Sequence, residues 1–235
     1  MILTGHQPNY LPYLGFFHKI TQADTFAILD NVQFVKRGPF GWMNRNRIRA
    51  QDGWIWLTVP VLTKGKYQQL IMDTKINNDY SWAKKHFHAI YYNYHRAKYF
   101  KKYIGFFEDI YKRHWDNFSD LSIEIIRYII KDLGIDIKIV ECSKIGVSGK
   151  ATEYVIDMCK KLKADTYLSG IHGKDYLNEN LFLKENIRLI YQEFIHPVYK
   201  QLFRGFIPSL SIIDLLFNYG PQSLDILMDR KRIGY

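Results

Sequence analysis

Three short polar segments hold side chains able to do chemistry, and each follows an apolar stretch. The first is His6-Gln7-Pro8-Asn9-Tyr10, directly after Gly5. A histidine in such a turn can donate to a phosphate or take a proton near neutral pH. Gln7 and Asn9 can hydrogen-bond a base, a sugar or an amide, and Tyr10 can add a ring. The second opens at Asp30, after the apolar run Thr25 to Leu29, and continues as a loop to Arg49. It crowds Gln33, Lys36, Arg37, Asn44, Arg45 and Asn46 around Gly38, Pro39, Gly41 and Trp42. Arginine forks suit phosphates, and an indole can stack on a base or a sugar. The third runs from Leu168 through Ser169, Gly170, His172 and Gly173 to Tyr176. Its two glycines let backbone amides approach an anion, with Ser169, Gly170 and Tyr176 as candidate contacts. Asp214, four residues before Asn218 on one helical face, joins the candidate ligand contacts.

Each segment also has a plainer reading, as a turn satisfying its own backbone, a solvated basic loop or an ordinary glycine turn. From this set His6 and Asp30 are the candidate catalytic residues, and the others are candidate substrate contacts. No metal ligands are assigned. His86 and His88 stand two apart on a predicted helix and so do not share a face. Neither an HExxH pattern nor a Cys/His zinc set occurs, and there is no Gly-x-Ser-x-Gly elbow.

The elements that must position these residues follow from hydrophobic period and turn chemistry. Met1 to Leu3 starts an edge or first strand, and a helix begins near Pro12 with Leu14, Phe17 and Ile20 at helical spacing. Thr25 to Leu29 reads as a strand buried on both faces, which suits a parallel sheet. Trp54 to Val61 alternates as another strand. Helices are predicted over Tyr80 to Tyr94, Tyr99 to His114 and Phe118 to Leu133, the last stopped by Gly134. Beyond it come a strand at Ile135 to Val140, a helix at Ala151 to Leu162 and strands at Thr166 to Leu168 and Ile187 to Tyr191. Helices at Ser211 to Asn218 and Pro221 to Met228 close the chain. Alternating helix and strand implies βαβ units. The expected fold is therefore a single α/β domain over residues 1–235. It has a mostly parallel sheet flanked by helices, with a helical insertion around residues 80–133. In such sheets ligands sit at the carboxyl ends of strands, where the three polar segments are predicted to fall.

The formal net charge of +10 permits a polyanionic partner: nucleic acid, a nucleotide or an anionic membrane surface. The spacing of Cys142 and Cys159 matches no zinc or redox motif, as expected for a reducing compartment. No stretch approaches the roughly 20 apolar residues needed to span a bilayer. The first residues lack the pattern of a signal peptide. A cytoplasmic location is the expectation.

Several stretches taken together resemble the WbqC-like family. They are His6 to Phe17, Ala23-Asp24, Leu29 to Phe34, Asn44 to Ile48, Trp56 to Val61, and the tail Phe206-Ile207-Pro208 with Leu210 to Asn218. The resemblance spans nearly the whole chain. It implies an enzyme of O-antigen or other surface-polysaccharide biosynthesis. Such an enzyme transfers an aminoacyl or acyl group, such as glycine, to the amino group of a dTDP- or UDP-linked aminodeoxy sugar. The implied partners are that nucleotide sugar and a small acyl or amino-acid donor. The first segment is also similar to the His-bearing first turn of HUP-type nucleotide-binding folds. This implies a HUP/Rossmann-like sheet and an alternative activity, an ATP-dependent nucleotidyl transferase or ligase using ATP and magnesium. The usual second histidine of that turn and a late Lys-Met-Ser-Lys-Ser-like loop do not occur. A nucleic-acid-binding module ranks third, because glycine and proline turns at strand ends suit small ligands better.

Overall fold

The computed structural model describes residues 1–35 and 43–228. Along the chain the strands are β1 (Ile2–His6), β2 (Thr25–Ile28), β3 (Arg45–Ala50), β4 (Gly53–Thr58), β5 (Lys138–Glu141), β6 (Thr166–Ser169) and β7 (Arg188–Tyr191). The α-helices are α1 (Leu14–Ile20), α2 (Trp82–Tyr94), α3 (Phe100–Lys112), α4 (Phe118–Asp132), α5 (Cys142–Ile145), α6 (Ala151–Leu162), α7 (Glu179–Lys184), α8 (Ile212–Tyr219) and α9 (Ser223–Leu227). No helix among the described residues is long and apolar enough to cross a membrane. The chain divides into two compact units.

The first unit comprises Met1–Pro8, Gly15–Val32 and Ile135–Ile195. It holds a five-stranded sheet in the order β5-β2-β1-β6-β7, parallel throughout. Parallel neighbours need long crossovers; α1 lies in that between β1 and β2, and α7 in that between β6 and β7. The expected α/β fold with a parallel sheet is therefore what forms. Alternation along the strands sends side chains to two covered faces. Leu3, Ala27 and Tyr167 join Met158 and Cys159 of α6 in one core. On the other face Phe26 meets Phe16 of α1 edge-on, with ring centroids 5.6 Å apart.

The second unit comprises Asn9–Leu14, Gln33–Gly134 and His196–Tyr235. Its antiparallel hairpin, β3 with β4, corrects the loop expected up to Arg49. Arg45 and Asn46 lie on a strand. The two-residue connection Gln51-Asp52 and the pairing of Ala50 with Gly53 close it. Arg47 and Arg49 face Trp56 and Trp54 across the ladder. The guanidinium carbons of Arg45 and Arg47 lie 4.5 Å from the Trp56 ring and 5.1 Å from the Trp54 ring respectively. Such cation–π pairs are worth about 0.5–1 kcal/mol each at exposed sites. This explains how an arginine-rich segment adopts a strand.

Around the hairpin an aromatic core centres on Phe217 of α8, which stacks on Tyr94 at 4.8 Å and meets Tyr103 and Phe107 at 5.8 Å. Asp214, one turn earlier on α8, has no exposed surface. Its two oxygens accept from Tyr94 Oη at 3.0 Å and Tyr199 Oη at 2.9 Å. Burial raises its pKa to about 6, against the pull of those hydroxyls, Gln201 and Arg49. Removing the carboxylate strands two buried hydroxyls, so Asp214→Ala is expected to lose about 3 kcal/mol of stability. Tyr199→Phe should lose about 1 kcal/mol. Urea denaturation midpoints at pH 7 check both values.

Candidate functional site

Strand order in the parallel sheet reverses at β1. The chain first builds outward through β2 and β5, then returns to the other side of β1 with β6 and β7. Crevices at the carboxyl ends of strands beside such a reversal bind ligands in open α/β sheets. His6 ends β1 and Ser169 ends β6 at this reversal. Thr4 pairs with Leu168, and Thr4 Oγ1 donates to the Leu168 carbonyl at 2.8 Å. His6 pairs with Ile28 on the other side, which sets Asp30 two residues further on.

His6 is partly buried, and its ring meets Phe16 of α1 with centroids 4.8 Å apart. Nδ1 lies 3.0 Å from the Gln7 carbonyl. A carbonyl can only accept, so Nδ1 carries the proton and Nε2 keeps the lone pair. Burial, and then the charge of Lys19, push the His6 pKa down to about 3, against the Gln7 hydrogen bond. At neutral pH the ring is therefore an uncharged acceptor and not a cation for a phosphate. Lys19, absent from the sequence-derived set, is buried and donates to the Gly5 carbonyl at 2.9 Å. It is recognisable as a charge three residues after Phe16 and one before Ile20, on an apolar helical face.

Beside this pair, Ser169 is buried and its hydroxyl donates to the Gly170 carbonyl at 3.0 Å. A Cβ on Gly173 would lie 2.0 Å from Ser169 Oγ, so the turn after β6 closes tightly around that side chain. A Cβ on Gly170 would meet nothing within 4 Å, so its backbone faces open space. Tyr176 is exposed. Gln192, just beyond β7, was also missed, although the strand-end rule that singled out the other segments applies to it. Its backbone donates to Ser169 at 2.8 Å, and its amide donates to the Gly15 carbonyl and sits 2.9 Å from His18 Nδ1.

Asp30 is buried, and both its oxygens are engaged by Ser143, one by the backbone amide at 2.9 Å and the other by the hydroxyl.

The sheet unit thus gathers His6, Gln7, Asp30, Ser169, Gly170 and Tyr176. Asn9, Tyr10, Gln33, Asn44, Arg45, Asn46 and Asp214 belong to the other unit, and Lys36 and Arg37 lie outside the described residues. Within that unit Tyr10 has no exposed surface; its hydroxyl bonds His86 Nδ1 at 2.8 Å and also Tyr111. Asn44 donates to Val59 at 2.8 Å, Asn46 to Leu11 at 2.6 Å and Gln33 to Tyr67 at 2.8 Å. Tyr10 and Asp214, expected as substrate contacts, have no exposed surface, and their polar atoms are bonded within this unit. Among the described residues no three His, Cys, Asp or Glu side chains converge as a metal set would require.

Fold and edge together define an open α/β protein with a polar carboxyl edge at the reversal of its parallel sheet. The WbqC-like protein family matches residues 7–226, and the chain belongs to it. That family is linked to O-antigen biosynthesis and suggests a biosynthetic enzyme. A relative in Mycobacterium tuberculosis (strain ATCC 25618 / H37Rv), "Uncharacterized protein Rv1507c", is 35% identical over 223 residues, which cover 94% of this chain and 95% of that one. No solved structure gives a significant match.

The buried imidazoles set a pH dependence. His6 and His86 have pKa values lowered to about 3 and about 4, with burial the main cause, and burial also lowers His18 and His196. Below the ordinary value of 6.5 the unfolded chain binds these protons first, so acid destabilises the fold. Asp214, raised to about 6, acts oppositely between that value and 3.8 and offsets part of the loss. The urea midpoint should therefore fall between pH 7 and pH 4.5. His86→Gln should start lower at pH 7 and fall less steeply.

Proposed function

We propose that the protein transfers an activated aminoacyl or acyl group, such as glycine, to the amino group of a nucleotide-linked aminodeoxy sugar. The ligand sits at the carboxyl edge of the parallel sheet. The observation that carries this reading is the strand-order reversal at β1, which sets the end of β1 beside that of β6 in a chain of the WbqC-like family. The open backbone at Gly170 gives the sugar nucleotide room to approach the sheet edge. Gln7 and Tyr176 supply further polar contacts.

In the reaction the sugar nitrogen forms a bond to the acyl carbonyl carbon. The bond from that carbon to the donor's leaving group breaks, and the leaving group departs with the electron pair. The proton lost by the nitrogen goes to the departing group, on the electron pair that group carries away. A base with a pKa of about 3 is poorly matched to removing that proton at neutral pH. Nε2 of His6 therefore serves best as an acceptor that orients the amine N–H and aims the nitrogen lone pair at the acyl carbon.

A second reading, an ATP-dependent nucleotidyl transferase or ligase, is favoured by the same reversal, where nucleotides bind in open α/β sheets. ATP with magnesium would then be the cofactor.

Thermal shift separates the two. Binding to the folded state raises the melting temperature with ligand concentration. A shift with dTDP- or UDP-amino sugars is expected, and folded protein that responds only to Mg-ATP would favour the second reading. His6→Ala is expected to lower turnover by about 100-fold while retaining most nucleotide-sugar binding. Full turnover in that variant would remove His6 from the mechanism.

A further inference from the structure

Lys19 occupies a position that stability alone does not explain. Its side chain is 4% exposed, and Phe16 and Ile20 beside it on α1 are buried. Its ammonium meets a backbone carbonyl, that of Gly5, where a carboxylate would compensate the charge better. Burial without a counter-ion disfavours the cation and lowers its pKa to about 8. A methionine would fill similar space without that cost.

The carbonyl that Lys19 holds belongs to the peptide bond leading into His6. The same helix also packs Phe16 against the His6 ring at an interplanar angle of 61°. His6 Nδ1–H donates to the Gln7 carbonyl. Three neighbours thus constrain one imidazole: an aromatic edge, a backbone acceptor and a buried cation.

We propose that Lys19 is a positioning residue for His6: fixed on the Gly5 carbonyl, it holds the peptide that leads into His6 and so sets the imidazole against the Gln7 carbonyl that accepts from Nδ1. This rests on the reading of His6 given above. Lys19 is the charge that acts on His6, and burial is what acts on Lys19. The other titratable groups of the surrounding elements are engaged elsewhere. His18 on α1 bonds Gln22 and Gln192, and Asp30 beyond β2 bonds Ser143. Tyr167 of β6 lies in the core on the α6 face, with its hydroxyl held protonated by burial.

The test is an imidazole nitrogen NMR titration of the whole protein. In the wild type the His6 ring should stay uncharged as Nδ1–H to about pH 3, and its signals should step near pH 8 as Lys19 loses its proton. In Lys19→Met the His6 midpoint should rise by about one pH unit, and the two tautomers should mix. Lys19→Arg should restore both properties. A folded Lys19→Met protein with an unchanged midpoint and tautomer overturns the proposal. If that variant does not fold, absence of the step near pH 8 in the wild type overturns it. The binding of nucleotide sugars is read separately by melting, so failure of that reading and failure of the Lys19–His6 coupling are distinguishable.

Discussion

β1 pairs in parallel on both sides, and the sheet unit is organised by what that pairing demands. A strand between two parallel neighbours has no free edge and no exposed face, which is why Leu3, Thr4 and Gly5 are all buried. Gly5 shows how little tolerance remains. A Cβ there would lie 2.7 Å from Leu29 Cδ1 and 3.2 Å from Met158 Cε, so that face of β1 takes a larger residue only if those side-chain ends move. The next residue points to the opposite face, toward α1, and is His6. Strict alternation therefore turns a packing requirement at position 5 into a polar ring at position 6, at the strand end where open α/β sheets bind ligands.

The buried polar groups of the two units obey different economies. In the hairpin-and-helix unit Asp214 is matched by two tyrosine hydroxyls, and Tyr10 is matched by His86 and Tyr111. Each group meets partners whose chemistry complements it, and the result ties distant segments together. A buried network in which every member is satisfied rigidifies a core. In the sheet unit the hydrogen-bond partner of Lys19 among the described residues is a neutral acceptor, the Gly5 carbonyl. A charge so poorly compensated contributes little to folding, and perturbed titratable groups of this type gather where ligands act.

Much of this architecture was legible in the residues. The helix Ala151–Leu162 is found where its period and its flanks placed it, because a mixed apolar and charged sequence at 3.6 spacing has few alternatives. The strands at Thr25, Thr166 and Arg188 were equally plain, since short apolar runs between turn residues suit a sheet covered on both faces. β3 was not. Arg45-Asn46-Arg47-Ile48-Arg49 looks like a solvated basic loop until Trp54 and Trp56 are set opposite it, and that pairing is a property of the register. The roles of Tyr10 and Asp214 were hidden for a related reason. A polar residue in a promising motif reads as a ligand contact unless its burial is known, and burial depends on partners 76 to 120 residues away in the chain.

Site location and site chemistry therefore rest on different kinds of information. Strand order places the ends of β1 and β6 together whatever residues stand there, and local signals of strand and turn were enough to anticipate that neighbourhood. The state of the groups in it depends on desolvation, which is set by the whole packing of the unit. The same histidine in an open turn would titrate near its ordinary value and could hold a phosphate as a cation. Against Phe16, with Lys19 on the preceding Gly5 carbonyl and Nδ1 committed to Gln7, it is neutral and can only accept at Nε2. The sheet thus decides which strand ends lie side by side, and the helix packed on the end of β1 decides the state of the imidazole there.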